Sequence, residues 1–449
     1  MSHPDLVTTL RQFRADVYQH FGTRRDALFE LLDAATIAGL MPSLVHLSLT
    51  GVHRRGWGSL YAALASGTID APALREVVGC FPLDDGQPIY ACDTSVWPRD
   101  DAETSPGRGF YYSSSRQSAG QPIVAGWSYA WLAQLSFTHD SWTAPLDVRR
   151  VAPTDDAQAV AAAQLRDLVA HQPAGSPVPL GVFDAGYDPE TLARELGDLD
   201  GERLAVLVRL RRGRCFYADP EQQPRTGRPR RHGRKFACVD PATWWTPSAE
   251  HREGHPQYGA VQVRAWAAVH AKSQNHPGRG SRRTKPVVRG TLVLVEVERL
   301  PRQTRIPKQL WLWWRGPGSP DLAVLWRAYV HRFDLEQTFR FGKQTLNWTT
   351  PRIRQLEQAD RWTWLVLLAY TQLRLARTAI ADRRLPWERP QYPHRRALTP
   401  ARVRQAFPQL LVALGTPAAA PKPCGRSPGR PRGRQSGPAQ RYPAVKRAA

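Results

Sequence analysis

Tyr329-Val330-His331-Arg332-Phe333-Asp334-Leu335-Glu336-Gln337-Thr338-Phe339-Arg340-Phe341-Gly342-Lys343 reads as part of a helix expected over Asp321–Gly342, with polar residues on a line of their own. Tyr329, Arg332, Glu336 and Lys343 follow at intervals of three, four and seven residues. At about 100° per residue these intervals return to one side of a helix, so a phenol, two cations and an acid share a narrow stripe. Leu325, Phe333 and Leu335 make a separate apolar stripe. Two interpretations are open. One is a solvated face on which Arg332 and Glu336 pair four residues apart, worth about 0.2–0.5 kcal/mol. The other is a functional site on a helix that is anchored by its apolar side.

Working outward, two apolar runs each end in an aspartate: Ile89-Tyr90-Ala91-Cys92-Asp93-Thr94 and Gly181-Val182-Phe183-Asp184-Ala185-Gly186-Tyr187. Singly, either acid is an ordinary turn residue at a strand end. As a pair on neighbouring strands they would meet at one sheet edge, where like charges need a proton, a cation or a metal to offset them. Strands are also expected at Gly109–Ser114 and Gln121–Leu135, with an Ala-rich helix over Asp155–His171 between the acids. Strands followed by a helix and another strand indicate an α/β core.

The rest of the chain sorts by pattern. Residues 1–84 carry helical periodicity (Leu6, Leu10, Phe13, Val17 and Phe21, then Leu28, Leu31, Leu32 and Ala35) and a basic turn at His53-Arg54-Arg55-Gly56. A DNA-end-binding helical domain and a plain packing subdomain both fit. Residues 85–202 form the first part of the core, and 203–318 a β-rich insertion with apolar runs at Leu204–Val208, Phe236–Val239, Val261–Val269, Thr291–Val297 and Leu310–Trp314. Residues 319–382 return to helices, the second expected over Trp362–Ala381, and 383–449 form a C-terminal region whose end, from Thr416, has eight basic residues and no acid. That composition is expected to be disordered when free.

A formal charge of +23 over 449 residues directs attention to a polyanion, with nucleic acid the commonest. The five cysteines are scattered without a C-x-x-C pair, which argues against a zinc site or a disulfide framework and for a reducing, intracellular setting. No apolar run reaches the ~20 residues of a spanning helix, and the N-terminus lacks the pattern of a signal peptide. No membrane contact is expected.

The spacing Tyr329-x2-Arg332-x3-Glu336-x6-Lys343, after two strand-ending aspartates in order, resembles the signature of DDE-type insertion-sequence transposases, a branch of the DDE superfamily endonucleases. The resemblance covers roughly residues 85–375. It implies an RNase H-like mixed sheet flanked by helices, with a β-rich insertion before the third acid. It further implies that Asp93, Asp184 and Glu336 bind two Mg²⁺ (or Mn²⁺) and that Tyr329, Arg332 and Lys343 contact DNA phosphates. The activity implied is cleavage at the terminal inverted repeats of a transposon and strand transfer into target DNA, by a homodimer assembled on double-stranded DNA. A bacterial cytoplasmic location, on the nucleoid when bound, goes with it. Asp140-Ser141-Trp142-Thr143-Ala144-Pro145-Leu146-Asp147-Val148 also looks like one subgroup of these proteins.

Basic segments add possible DNA contacts. Arg225–Lys235 and Lys272–Arg289 each hold six Lys or Arg and no acid. Arg228 and Arg230, and Arg430 and Arg432, stand in Gly-Arg-Pro-Arg segments like those that enter a narrow minor groove, although Thr226 and Pro428 replace the arginine that precedes the glycine in the fuller motif. Generic phosphate attraction is the alternative. Trp244, Trp245, Trp311, Trp313 and Trp314 are either core or a stacking surface for a displaced base. His139, His171 and His331 lack metal-ligand spacing, and no phosphate-binding G-x-x-x-x-G-K-[ST] occurs. Two competing functions are a transposase descendant that binds DNA without cutting it, and a two-carboxylate glycosidase. The charge disfavours the second, which would act on a neutral substrate without metal.

Overall fold

The structure is a computed structural model. It describes the chain except residues 1–2, 40, 42, 84–87, 113–121, 138–139, 174, 198, 200, 222–229, 273–285, 302–308, 383, 386, 388–396, 424–432, 434–436 and 447–449. The fold is mixed α/β, an RNase H-like arrangement in which the described residues form twelve strands of a mixed sheet with flanking helices. The backbone divides into two compact units. One holds Met1–Asp85, Thr94–Ala157 and Asp334–Ala449; the other holds Gly86–Asp93 and Gln158–Phe333.

The first unit begins with helices α1 (His3–Gln19), α2 (Arg25–Ile37), α3 (Trp57–Ser66) and α4 (Ala71–Gly79). Leu10, Phe13 and Val17 of α1 and Leu28, Leu31 and Leu32 of α2 are fully buried, which is the expected periodicity at work. Strand β1 (Ile89–Pro98) enters this unit from Thr94 onward. It neighbours β3 (Ile123–Gln134), which also pairs antiparallel with β2 (Gly109–Tyr112) and β4 (Ala144–Val151). Helix α9 (Leu356–Ala376) packs on β4 and on α1 and α2, and α10 (Pro400–Leu414) packs on α9.

Carboxylates spaced along α2 each hold a cation. Arg55 lies 3.5 Å from Asp26, Arg54 2.7 Å from Glu30, and Arg14 2.6 Å from Asp33. The Arg14–Asp33 pair is buried and two-pronged, with Gln372 of α9 as a third member. The chain beyond α10 joins this network. Arg14 donates to the Gly415 carbonyl at 2.9 Å, Arg54 to that of Ala418 at 2.8 Å, and Ala419 donates to Asp26 at 3.0 Å. Further on, the backbone N–H groups of Tyr442 and Val445 reach the carbonyls of Glu103 and Arg108, each at 2.7 Å, and Val445 bridges Gly109 of β2 in parallel.

The second unit takes β1 through Asp93. Its β1 pairs in parallel with β5 (Leu180–Phe183), and β5 in parallel with β6 (Ala205–Arg209). Helices α5 (Ala157–Ala170) and α6 (Pro189–Leu196) lie on either side of β5 in sequence, as the connections between parallel strands require. The sheet then turns antiparallel through β12 (Gln309–Arg315), β11 (Arg289–Val297), β10 (Gly259–Ala271), β7 (Cys215–Tyr217) and β8 (Lys235–Ala237), and β9 (Ala249–His255) pairs with β10. Trp311 and Trp313 are each 2 % exposed, and they pack with Phe236, Trp266, Leu292 and Leu294 in one core. Trp244 and Trp245 are half-buried against it, with the Trp244 ring stacked on Phe236 at 5.8 Å. Helix α7 (Leu322–His331) packs on β5, β9 and β10.

The expected single helix from Asp321 divides at Arg332 into α7 and α8 (Phe333–Gln344). Arg332 itself keeps right-handed helical angles (φ −55°, ψ −31°). Phe333, expected on the apolar stripe, is 46 % exposed, whereas Leu325 and Leu335 are buried.

Candidate active site

The second unit brings Asp93 and Asp184 to one edge. In the β1–β5 ladder Ile89 pairs with Leu180, Tyr90 with Gly181 and Ala91 with Val182. Carried two residues further, this register sets Asp93 level with Asp184 at the carboxyl end of two parallel strands. Ligands bind at such an edge in open α/β sheets. The runs before the acids are buried, so they fix where the carboxylates emerge; both acids are themselves partly exposed.

Each carboxylate has a distinct partner. Asp93 Oδ2 accepts a 2.9 Å hydrogen bond from Arg332 Nη1, and the Arg332 side chain is only 4 % exposed. The guanidinium lies over the rings of Tyr329 at 5.8 Å and Phe333 at 5.2 Å. A buried cation held by a carboxylate and two aromatic faces is costly to move. Asp184 Oδ1 accepts the Gly186 N–H at 2.8 Å. A side chain at Gly186 would put its first carbon 3.0 Å from that oxygen, so the glycine lets the backbone approach.

Tyr329 is buried, and burial raises its phenol above the ordinary range while the charges of Arg332 and Arg209 oppose the rise. Two further residues of this edge went unnoticed in the sequence. In the β5–β6 ladder Phe183 pairs with Val208, so one step on, Arg209 stands level with Asp184. Its signal was present: the run Ala205-Val206-Leu207-Val208 ends in a charge as the two aspartate runs do. Tyr187, quoted with the second aspartate, is buried beside it, its ring centre 4.9 Å from that of Phe183.

Glu336 and Lys343 belong to the first unit, on α8. Glu336 is exposed, one residue past the fully buried Leu335. Thr338, also buried, fixes the rotation of α8: its hydroxyl lies 2.8 Å from that of Thr143 and 3.3 Å from that of Tyr370. The stretch around Trp142 and Thr143 thereby has a physical role, seating this helix. Lys343 Nζ sits 5.8 Å from the centre of the Trp348 ring, and desolvation lowers its pKa to about 8.

Among the basic candidates, Arg230 is exposed, while Arg228, Arg430 and Arg432 lie outside the described residues. Among the described residues, no group of three or more His, Cys, Asp or Glu gathers at metal-binding distance. The donors at the β1–β5 edge nevertheless suit a hard divalent cation. They are carboxylate oxygens, partly open to solvent, with no sulfur or imidazole between them. Among the described residues no helix is long and apolar enough to cross a membrane.

Together the fold and the paired acids define a nuclease-type protein with an RNase H-like sheet. The chain belongs to the DDE superfamily endonuclease family, which its residues 16–277 match. That range includes Asp93 and Asp184 and ends before Tyr329. Comparison with curated proteins finds no match. Members of this family act on DNA and generally use divalent metal ions.

Proposed function

We propose that the protein is a transposase that cuts DNA at the terminal inverted repeats of its element and joins the freed ends to target DNA. The observation that carries this is the alignment of Asp93 with Asp184 at the carboxyl edge of parallel strands, in a chain with the DDE endonuclease family match. Asp93, Asp184 and Glu336 are the carboxylates assigned to the metal ions, with Mg²⁺ or Mn²⁺ as the fitting cation. Two such ions, when bound, supply activation of the attacking oxygen and stabilisation of the leaving oxygen in an in-line displacement.

The protein's own residues do the rest. Asp93 and Asp184 orient the acceptor oxygens through the fixed ends of β1 and β5. Arg332, held against Asp93, supplies a positive charge with a forked geometry that matches a phosphate. Tyr329 buttresses that guanidinium through its ring face. Lys343 provides a further cation for the DNA backbone, and the net charge of +23 draws the duplex in. A homodimer on DNA follows from the need to cut paired ends, and the nucleoid is the place of action.

The test is cleavage of a duplex carrying the repeats that flank the gene, with and without Mg²⁺. Asp93→Ala, Asp184→Ala and Glu336→Ala should each abolish cutting and leave end binding intact. Full cutting by any of the three removes that residue from the site. Binding without cutting by the unaltered protein would instead favour a DNA-binding descendant that has lost catalysis.

A further inference from the structure

Four antiparallel strands of the second unit bring one residue each into a single row. Lys235 of β8 pairs with Tyr217 of β7, Tyr217 with His270 of β10, and His270 with Arg289 of β11. Directly paired residues project from the same face. That face is turned away from the tryptophan core, because Phe236, Phe216 and Val269, the chain neighbours of Lys235, Tyr217 and His270, belong to that core. A bulge sets this phase. Pairing with β11 shifts between Trp266 and Val269, and Ala268 takes a φ of 54°, which is rare for alanine. Without the extra residue His270 would share a face with Trp266. On its own face His270 is fully buried. Its Nε2 lies 3.0 Å from Nδ1 of the half-buried His232, and its Nδ1 lies 3.6 Å from Asp219 Oδ1. The Tyr217 ring centre is 5.1 Å from that of His232, and the exposed Asp219 is held in turn by Arg289 at 2.8 Å.

Two imidazoles in contact need one N–H and one lone pair between them. Asp219, facing Nδ1 of His270, keeps a proton on that nitrogen, so His270 Nε2 accepts from His232 Nδ1. The spare lone pair then falls on His232 Nε2, on the less buried ring, where one more proton fits without breaking the contact. The surroundings are basic. Arg230, Arg231 and Arg234 lead into Lys235, and Lys272 follows β10; all but the half-buried Arg231 are exposed. Among the described residues flanking these strand ends the acids are Asp219, already engaged by Arg289, and Glu221. Burial lowers the pKa of His232, and Lys272 and Arg231 lower it further. Burial also lowers that of His270, where Asp219 and the Arg231 backbone oppose the fall and His232 and Arg289 add to it.

We propose that this end of the insertion is a contact for the DNA backbone, and that His232 takes up one proton when a phosphate settles among Lys235, Lys272 and the arginines beside it. This rests on DNA being the substrate, as proposed above, but not on metal ions or on cutting. A phosphate here adds the negative charge that the surface lacks, and a protonated His232 Nε2 donates to it in a charge-assisted bond.

The experiment is isothermal titration of a short duplex of arbitrary sequence into the full-length protein in EDTA, at about pH 6, below the ordinary histidine value of ~6.5. Two buffers of different ionisation enthalpy count the protons taken up. Uptake is expected for the unaltered protein, with affinity rising as pH falls from about 7 to about 5.5, by no more than about 10-fold per unit for one proton. His232→Gln should bind with that uptake removed and a flatter pH profile. Replacing the exposed Arg230, Lys235 and Lys272 by glutamine should lower the log–log salt slope by about 3 and remove the same uptake. The control replaces Arg211, Arg212 and Arg299 by glutamine: an equal loss of charge, placed before β7 and after β11, at the other ends of those strands. It should keep both slope and uptake. Equal uptake in the unaltered protein and His232→Gln, or equal slopes in the two triple variants, overturns the proposal. Should His232→Gln not fold, the first triple variant decides: undiminished uptake there is fatal. Binding without any uptake would sink the proton step while leaving the DNA reading in place, whereas failure to bind duplex at all would strike the DNA reading itself.

Discussion

Replacing Arg332 by methionine isolates the electrostatics of the acidic edge. The arginine side chain is 4 % exposed, its Asp93 partner is 17 % exposed, and they meet at 2.9 Å. Removing one member of a fully buried pair costs about 3–5 kcal/mol. Because Asp93 retains some water, the expected loss is nearer about 2 kcal/mol. For a cooperative unit of about 150–250 residues each kcal/mol moves the midpoint by about 2–4 °C, so melting should fall by about 4–8 °C. Mg²⁺ should then return much of that loss. A cation at 100 times its dissociation constant stabilises by about 2.7 kcal/mol, and in the variant it no longer competes with a guanidinium. The assay is differential scanning calorimetry of both proteins with and without Mg²⁺. A larger Mg²⁺-induced rise in Arg332→Met than in the parent is the expected result. Equal rises in the two proteins would refute the idea that Arg332 and the metal share Asp93.

Other consequences concern charge and packing in the first unit. With a pKa of about 8, Lys343 loses its charge as pH rises through that value, so affinity for DNA should drop between pH 7 and 9, and Lys343→Arg should flatten the profile. Stability should move the opposite way: an unfolded lysine titrates near ~10.4, so the unfolded chain binds more protons from about pH 8 upward, and folding gains as pH climbs through that window. A stability curve that falls from pH 8 to 10 in the parent but not in Lys343→Arg would contradict this. Arg14→Met should cost about 3–5 kcal/mol in urea unfolding, since it strands the buried Asp33 carboxylate. Burial already raises the Asp33 pKa, so its contribution is greatest at low pH and is lost as pH rises; the Arg14→Met penalty should accordingly be larger at pH 7 than at pH 5. A cost below about 1 kcal/mol at pH 7 would show that the pair contributes little.

The legible parts of this chain were those where burial imposes a pattern. β1, β5 and β6 are covered on both faces, so they read as short unbroken apolar runs with a charge at the end, and the α/β core follows from them. Strand β9, Ala249–His255, escaped notice because it is charged along its length and pairs with β10 on one edge. Strand β4 was quoted only as a family-like stretch, since Arg149 and Arg150 mask its apolar alternation. Helix α10 was hidden within a Pro- and Arg-rich region, with Pro408 inside it. At the candidate site, the intervals along Tyr329–Lys343 identified the residues but not their partners. That Arg332 turns to Asp93, 239 positions away, is a long-range contact that no local spacing encodes. Arg209 and Tyr187 depend on register and burial, which a linear sequence does not display.

The backbone pairing of Val445 with Gly109 bears on how this protein can be handled. A strand at the border of a sheet offers unpaired amides to any extended chain, and such borders seed aggregation. Here Val445 covers this border strand at Gly109, while Tyr112 and Ile123, paired further along it, are 73 % and 59 % exposed. Truncation before Tyr442 would remove that cover and open more of the border to pairing. For expression and crystallisation, the basic end of the chain is better kept than trimmed.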